Sequence, residues 1–168
     1  ACAAWADKYE GVVHSTPLRG IVLAVPEPIG VMGIICPDEY PLLGFVSTVI
    51  PAVAMGNTVI AVPSERHPLA ITDFYQVLDT SDVPAGVINI VTGNHDSLSK
   101  VLAEHENVDG LWYFGDIEGA KRVEAASISN MKQTWAEAVP RNWSQTGSER
   151  EFLRRATQVK NIWTPYGE

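Results

Sequence analysis

Val31-Met32-Gly33-Ile34-Ile35-Cys36 is a short apolar run stopped by Pro37. A run of that length, closed by a residue that cannot donate to a sheet ladder, predicts a strand buried on both faces. The pattern repeats outward from it. Residues 40–56 are apolar nearly all round and end on Gly56-Asn57, which predicts a core helix with a glycine stop. Thr58-Val59-Ile60-Ala61-Val62 predicts a second strand, Val87-Ile88-Asn89-Ile90-Val91 a third and residues 110–114 a fourth. Between them, residues 68–79 predict a helix with Leu69, Phe74, Val77 and Leu78 on one face. Residues 96–106 predict another, with Leu98, Val101, Leu102 and His105 together, and residues 117–127 a third. Residues 131–135 predict a last strand. This alternation predicts an α/β fold, a doubly wound parallel sheet with helices on both faces. Such sheets bind ligands at the carboxyl ends of their strands.

The flanks are of another kind. Residues 1–11 predict the end of a helix, with Trp5 and Tyr9 on one side and Gly11 as its stop. Residues 12–25 are β-prone with a turn around 17–20. Residues 148–163 begin charged and helix-like and finish as an extended run over 158–164. Residues 141–147 read as the one polar joint. The 168 residues, 46% hydrophobic and 19% charged, suit a single domain over 1–168 with its own core. A net charge of −8 argues against nucleic acid, and no basic amphipathic stretch points to a membrane surface. The longest apolar stretch, residues 42–55, is too short to span a bilayer and holds Gly44 and Pro51. No signal peptide opens the chain, which begins on Ala1 and reads as an excised piece of a longer protein. Two cysteines, Cys2 and Cys36, make no disulfide framework, so a reducing, cytoplasmic setting is expected. The four histidines are scattered, and no metal site is expected.

The motifs at the strand ends carry a resemblance. Pro28-Ile29-Gly30-Val31, Pro37 with Tyr40-Pro41-Leu42, Gly56-Asn57-Thr58-Val59, Pro63-Ser64-Glu65 with Pro68-Leu69, and residues 84–93 stand in an order and spacing that resembles the aldehyde dehydrogenase superfamily. The likeness runs from about Trp5 to Lys132. Its erosion, and Leu111-Trp112-Tyr113-Phe114-Gly115, look most like the degenerate second unit of the family-16 aldehyde dehydrogenases, which carry two units in one chain. The resemblance implies the family's Rossmann-like NAD-binding domain. It also implies a short β oligomerisation arm, built from segments 12–25 and 156–168.

The departures from that family matter more. Its catalytic thiolate sits on a separate domain that would lie between Glu137 and the C-terminal tail. Here residues 138–147 join the two directly, so the catalytic domain is expected to be missing, and no cysteine follows Cys36. Glu137 falls at the family's general base and would be vestigial without a thiol. Glu39 falls at the asparagine that helps hold the substrate oxyanion, and a carboxylate repels an oxyanion. Val62 replaces a lysine that contacts the adenosine ribose. Glu65 is retained, either as a ribose contact or as a solvated loop acid. Gly93 opens a turn that continues Asn94-His95 in place of a second glycine, and His95 reads as a loop histidine rather than a ligand.

Gly115-Asp116 replaces a Gly-Ser whose helix amides face the cofactor pyrophosphate. Asp116 would cap that helix and repel a phosphate, by about 4 kcal/mol at 4 Å and an effective dielectric near 20. No lysine or arginine was identified at these strand ends to compensate. Exchanging Asp116→Ser together with Val62→Lys would then restore some affinity. Cys36, inside an apolar run, reads as a core thiol rather than a nucleophile.

The expectation is therefore a non-catalytic domain with no cofactor and no enzyme activity, kept for structure, oligomerisation or protein interaction. Its partner would be another aldehyde dehydrogenase unit, of the same or a second chain, or an unrelated protein. The alternative is a residual sensor of NAD or another nucleotide.

Overall fold

The computed structural model describes residues 2–17, 19–144 and 149–166. Five parallel strands form the main sheet: β3 (Val31–Ile35), β4 (Thr58–Val62), β5 (Ile88–Ile90), β6 (Gly110–Phe114) and β7 (Gln133–Glu137). Their spatial order is β5-β4-β3-β6-β7, so the winding reverses between β3 and β6. That reversal opens a crevice above the carboxyl ends of the two strands. Here β1 and β2 denote the earlier strands Val12–His14 and Gly20–Pro28.

Alternate residues of each strand feed two cores, as the period of two requires. Met32, Ile34, Val59, Ala61, Trp112 and Phe114 face one way. They pack under α2 (Pro41–Ala54), α3 (Leu69–Thr72), α4 (Tyr75–Asp79) and α7 (Glu149–Arg155). Ile35, Val62, Leu111 and Tyr113 face the other way, under α5 (His95–Glu104) and α6 (Ile117–Ala126). The first helix, α1, spans Cys2–Ala6, and Arg150 of α7 stacks on its Trp5 at 4.9 Å. On the first core face, Trp112, Phe114, Trp135 and Phe152 form edge-on and tilted pairs with centroids 5.2–6.2 Å apart. Such pairs add to the burial of their area.

A second sheet is separate and antiparallel, in the order β1-β2-β8, where β8 is Thr157–Pro165. β2 and β8 pair along nine residues each, Gly20 against Pro165 through Pro28 against Thr157.

Several local expectations need correction. The helix expected over 68–79 is two short ones. Phe74 N–H bonds the Ile71 carbonyl and the Thr72 hydroxyl bonds back to Leu69, which tightens the turn and breaks the 3.6 period. Phe74 and Leu78 face the core as the periodicity suggests, but Leu69 and Val77 do not. Ile71 and Leu78 are buried, while Leu69 and Val77 are 74% and 49% exposed. Val101 is likewise exposed on α5. The first helix stops at Ala6 instead of Gly11. The last strand of the main sheet starts at Gln133, two residues late, because Met131 turns the chain with φ 56° and points outward. Trp143, inside the expected polar joint, is buried against Phe114 at 5.4 Å. Residues 145–147 of that joint, and residue 148 of the segment after it, lie outside the described residues.

Asn57 joins the two sheets. Its amide oxygen accepts from Ile29 N–H (2.7 Å) and Gly30 N–H (3.0 Å), at the turn between β2 and β3. Its amide nitrogen donates to the Ala52 carbonyl in α2 and the Ala156 carbonyl before β8, both at 2.8 Å. Gly30 itself sits at φ 131°, where a Cβ would strike the Asp109 carboxylate that accepts from Val31 N–H. Replacing Asn57 by Leu orphans three backbone groups, Ile29 N–H, Gly30 N–H and the Ala156 carbonyl, while the Ala52 carbonyl keeps the residue-57 N–H. Each costs about 1–3 kcal/mol when unpaired. Asn57→Leu is expected to destabilise the chain by about 3 kcal/mol or more, read as the shift of the urea midpoint.

Candidate functional site

Five strand ends meet at one crevice of about 400 Å³. Its walls carry Asp38 and Glu39 after β3, Glu65 and Arg66 after β4, Asn94 to Asp96 at α5, Tyr113 to Asp116 at α6, and Glu137 to Arg141 after β7. The topology thus brings together Glu39, Glu65, Gly115, Asp116 and Glu137, from four separate stretches of the sequence. Gly93 stands just before this wall, in the exposed turn leading to α5. Val62 does not join it. It is 1% exposed in the second core, and a lysine there would bury its charge instead of meeting a ribose, so the paired exchange with Val62→Lys no longer suits the site.

The polar groups of the crevice are engaged with one another. Asp116 caps α6, its carboxylate accepting from Gly119 N–H at 2.6 Å. Asp116 is exposed, so water screens much of the repulsion it would exert on a phosphate. A second obstacle stands beside it. The Tyr113 hydroxyl lies over the same helix start, so close that a Cβ on Gly115 or Gly119 would collide with it. Burial pushes the Tyr113 phenol up, the Asp116 carboxylate adds to the rise, and the Asp116 amide partly offsets both.

Glu65 is turned onto the start of α5. It accepts from His95 N–H at 2.9 Å and from the Asn94 amide at 3.1 Å, and these bonds hold its carboxyl below the usual range. Asn94 caps the same helix through Ser97 N–H at 3.0 Å. His95 is therefore the first residue of a helix and not a loop histidine. Its Nε2 sits 2.7 Å from the Pro63 carbonyl, which only accepts, so Nε2 carries the proton. Asp38 accepts from the Ser64 hydroxyl at 2.7 Å and pairs with Arg66 at 3.5 Å. Burial raises its carboxyl, and the Ser64 and Arg66 bonds with the nearby His95 and Arg66 charges more than reverse that.

Arg66 and Arg141 correct the expectation that no cation stands at these strand ends. Arg141 is tied down, whereas Arg66 is exposed and held only by its contact to Asp38. Arg141 donates to both oxygens of Glu137, at 3.1 and 2.7 Å, and to Glu151 at 3.1 Å. Its guanidinium lies over Phe152, Trp135 and Trp143 at 5.0, 5.5 and 5.8 Å. Burial lowers the Arg141 pKa, and the bonds to Glu137 and Glu151 carry it above the ordinary value, so this fork stays charged. Across the outer rim, Arg122 of α6 pairs with Asp96 of α5 and ties the two helices together. Tyr113, Arg122, Arg141 and Trp143 were not singled out from sequence. The one available signal was a tryptophan in a stretch otherwise read as polar.

Cys36, the residue after β3, is fully buried, its sulfur 3.8 Å from the Thr48 hydroxyl. Burial pushes the thiol up to about 12. Among the described residues no group of His, Cys, Asp and Glu could hold a metal ion. No described helix is long and apolar enough to cross a membrane. Buried and with its pKa pushed up, the Cys36 thiol stays protonated and shielded in the native chain. An aromatic disulfide reagent at pH 8 is expected to titrate Cys2 in the native chain and Cys36 only after unfolding. Two fast thiols in the native state would contradict this burial.

The profile of the aldehyde dehydrogenase family matches residues 1–142. Horse aldehyde dehydrogenase 1A1 is 34% identical over 137 residues, covering 81% of this chain and 27% of the relative. The NADP/NAD-dependent aldehyde dehydrogenase PuuC of Escherichia coli is 35% identical over 133 residues, covering 79% and 27%. Among solved structures, a point mutant of Staphylococcus aureus betaine aldehyde dehydrogenase in complex with NAD+ is 30% identical. It has a TM-score of 0.77 over 82% of this chain and 28% of that one. A putative aldehyde dehydrogenase from Burkholderia cenocepacia is 34% identical with a TM-score of 0.77, over 80% and 28%. Spanning about 27% of the length of the first of these curated relatives, the chain belongs to the aldehyde dehydrogenase family.

Proposed function

We propose that this is a non-catalytic aldehyde-dehydrogenase-like domain that serves structure and assembly, of the kind found as the degenerate second unit of the two-unit, cytoplasmic family-16 chains. The observation that carries the reading is the state of the two helix starts at the crevice. An NAD pyrophosphate needs free amides at a helix N-terminus. At α6 the Gly119 amide is taken by Asp116 and the approach is filled by the Tyr113 hydroxyl. At α5 the capping role that Asp116 has at α6 is shared by Asn94 and Glu65, and a ribose contact would need the Glu65 carboxylate free. The residues present do not fit the dinucleotide.

The rest of the reading follows from chemistry. Acyl transfer through a thiolate needs an exposed, ionisable cysteine, and Cys36 is neither. A general base needs a free carboxylate, and Glu137 is held in a two-bond fork by Arg141. Retained instead are the core and the three-stranded β1-β2-β8 sheet, which offers an edge to another aldehyde dehydrogenase unit of the same or a second chain. Capture of an unrelated protein is the less specific form of the same role.

Calorimetric titration with NAD+ and NADP+ to millimolar concentration tests the first part. Neither heat nor a thermal shift is expected, whereas ligand at a hundred times its dissociation constant would stabilise the chain by about 2.7 kcal/mol. Clear binding would put the nucleotide-sensor reading in its place. The double exchange Asp116→Ser with Tyr113→Phe frees the α6 start and is expected to strengthen NAD+ binding by about tenfold or more. No gain would mean that the acid and the hydroxyl are not what keeps the dinucleotide out. For the second part, deletion of residues 12–25 from the parent protein is expected to abolish its assembly in sedimentation. An unchanged oligomer would remove the assembly role.

A further inference from the structure

A second cavity shares no lining residue with the crevice. About 210 Å³ in volume, it is lined by Trp112 of β6, Gln133, Thr134 and Trp135 of β7, and Arg154 and Arg155 of α7. It therefore opens on the amino half of β7, while the crevice lies beyond the carboxyl end of the same strand. The protein carries 20 Asp and Glu against 12 Lys and Arg, yet no acid lines this cavity and two arginines do. Two guanidiniums lining one cavity repel each other, and the rest of the fold does not explain them. The end of α7 has no need of them. The Thr157 hydroxyl donates to the Leu153 and Arg154 carbonyls at 3.3 and 3.1 Å, and the Asn57 amide donates to the Ala156 carbonyl. Ion pairing leaves them largely unused. Arg155 reaches Glu151 at 3.8 Å, and Arg154, exposed, has no carboxylate within reach among the described residues. The Arg155 guanidinium also lies over the Trp135 ring at 4.5 Å. A guanidinium held over a ring keeps its in-plane N–H donors for another partner.

We infer that this cavity is a binding site for the phosphate of a small phosphate monoester, held by Arg154 and Arg155. Two guanidiniums offer two forks and two positive charges. A phosphate monoester has three acceptor oxygens and close to two negative charges, which satisfies both. A carboxylate, with two oxygens and one charge, satisfies one. The volume lies below the range of sites for drug-sized ligands, so the cavity admits a phosphate with a small organic group and shuts out a dinucleotide. Trp112 and Trp135, 2% and 8% exposed, give the organic group an apolar floor, and the exposed Gln133 amide stands beside them as a further donor. The bound ester bridges β7 of the main sheet to the last turn of α7, which leads directly into β8. None of these residues lies in the crevice, so the site does not depend on whether the crevice takes a nucleotide.

The probe is phenyl phosphate, titrated calorimetrically against the full chain at about pH 7.5. One-to-one binding is expected, with a dissociation constant of about 1 mM or below. Benzoate, which presents the same ring with a single charge, should bind about tenfold more weakly. The second ionisation of a phosphate monoester lies near pH 6, so affinity should fall about fourfold at pH 5.5 as the second charge is lost. Arg154→Gln removes an exposed side chain with no described ion pair, so the chain should fold as before and lose about tenfold or more in affinity. Arg155→Lys keeps the charge without the fork and should weaken binding about threefold or more. No heat up to about 10 mM phenyl phosphate overturns the site. So does an affinity that Arg154→Gln leaves unchanged in a folded chain, and so does benzoate binding as tightly as phenyl phosphate.

Discussion

Four hydrogen bonds to one buried side chain hold the molecule in one piece. Asn57 faces the turn that leads from the antiparallel sheet into the parallel one, the end of the central helix, and the residue before the last strand. Ala156 is 99 residues away along the chain. An asparagine offers two donors and an acceptor with two lone pairs, which matches this set without surplus. Aspartate lacks the donors, and leucine lacks both. The apolar clusters supply most of the stabilising area, but they are not directional. The register between the two sheets comes from Asn57, because only polar bonds fix one backbone segment against another at a set distance.

The crevice follows from a competition that has gone one way. Helix starts carry unpaired amides and positive potential, and these can serve either a ligand or the protein's own caps. In this chain Asp116, Asn94 and Glu65 make the caps. A cap contributes about 1 kcal/mol at all times, whereas a ligand stabilises only when it is bound. Under the non-catalytic role proposed above, capping residues at these positions raise stability at no functional cost. The same logic fits Arg141. A carboxylate kept free to move protons is destabilising if half-buried, and pairing Glu137 with a guanidinium on three aromatic rings removes that cost.

What could be read from the chain alone divides along the same line. The main-sheet strands at 31–36, 58–62 and 110–114 were legible because strands buried on both faces are unbroken apolar runs between turn residues. Asp116 was legible as a cap because capping acts three residues along the sequence. The segment 68–79 misled, since its hydroxyl and tight-turn bonds reset the helical phase and turned Ile71 inward in place of Leu69. The Asp96–Arg122 tie and the Glu137–Arg141–Glu151 fork join residues from different elements, and periodicity carries no such information. Tyr113 looked like any aromatic of a buried strand. Only its approach to Gly115 and Gly119 distinguishes its hydroxyl from a bare ring.

The two sheets answer to different constraints. The parallel sheet is covered on both faces and its strands need nothing from outside. The antiparallel sheet has only Val22 and Ala24 as well-buried apolar residues, while Val12, Val13, Val159, Ile162 and Trp163 stand in water. A small sheet with so little covered area is marginal on its own, and here nine backbone pairs between β2 and β8 hold it together. Exposed Trp and Val on an unguarded edge lower solubility and add nothing to the isolated fold. Under the structural role proposed above, selection acts on this sheet and on Asn57, which sets it against the body, rather than on the crevice.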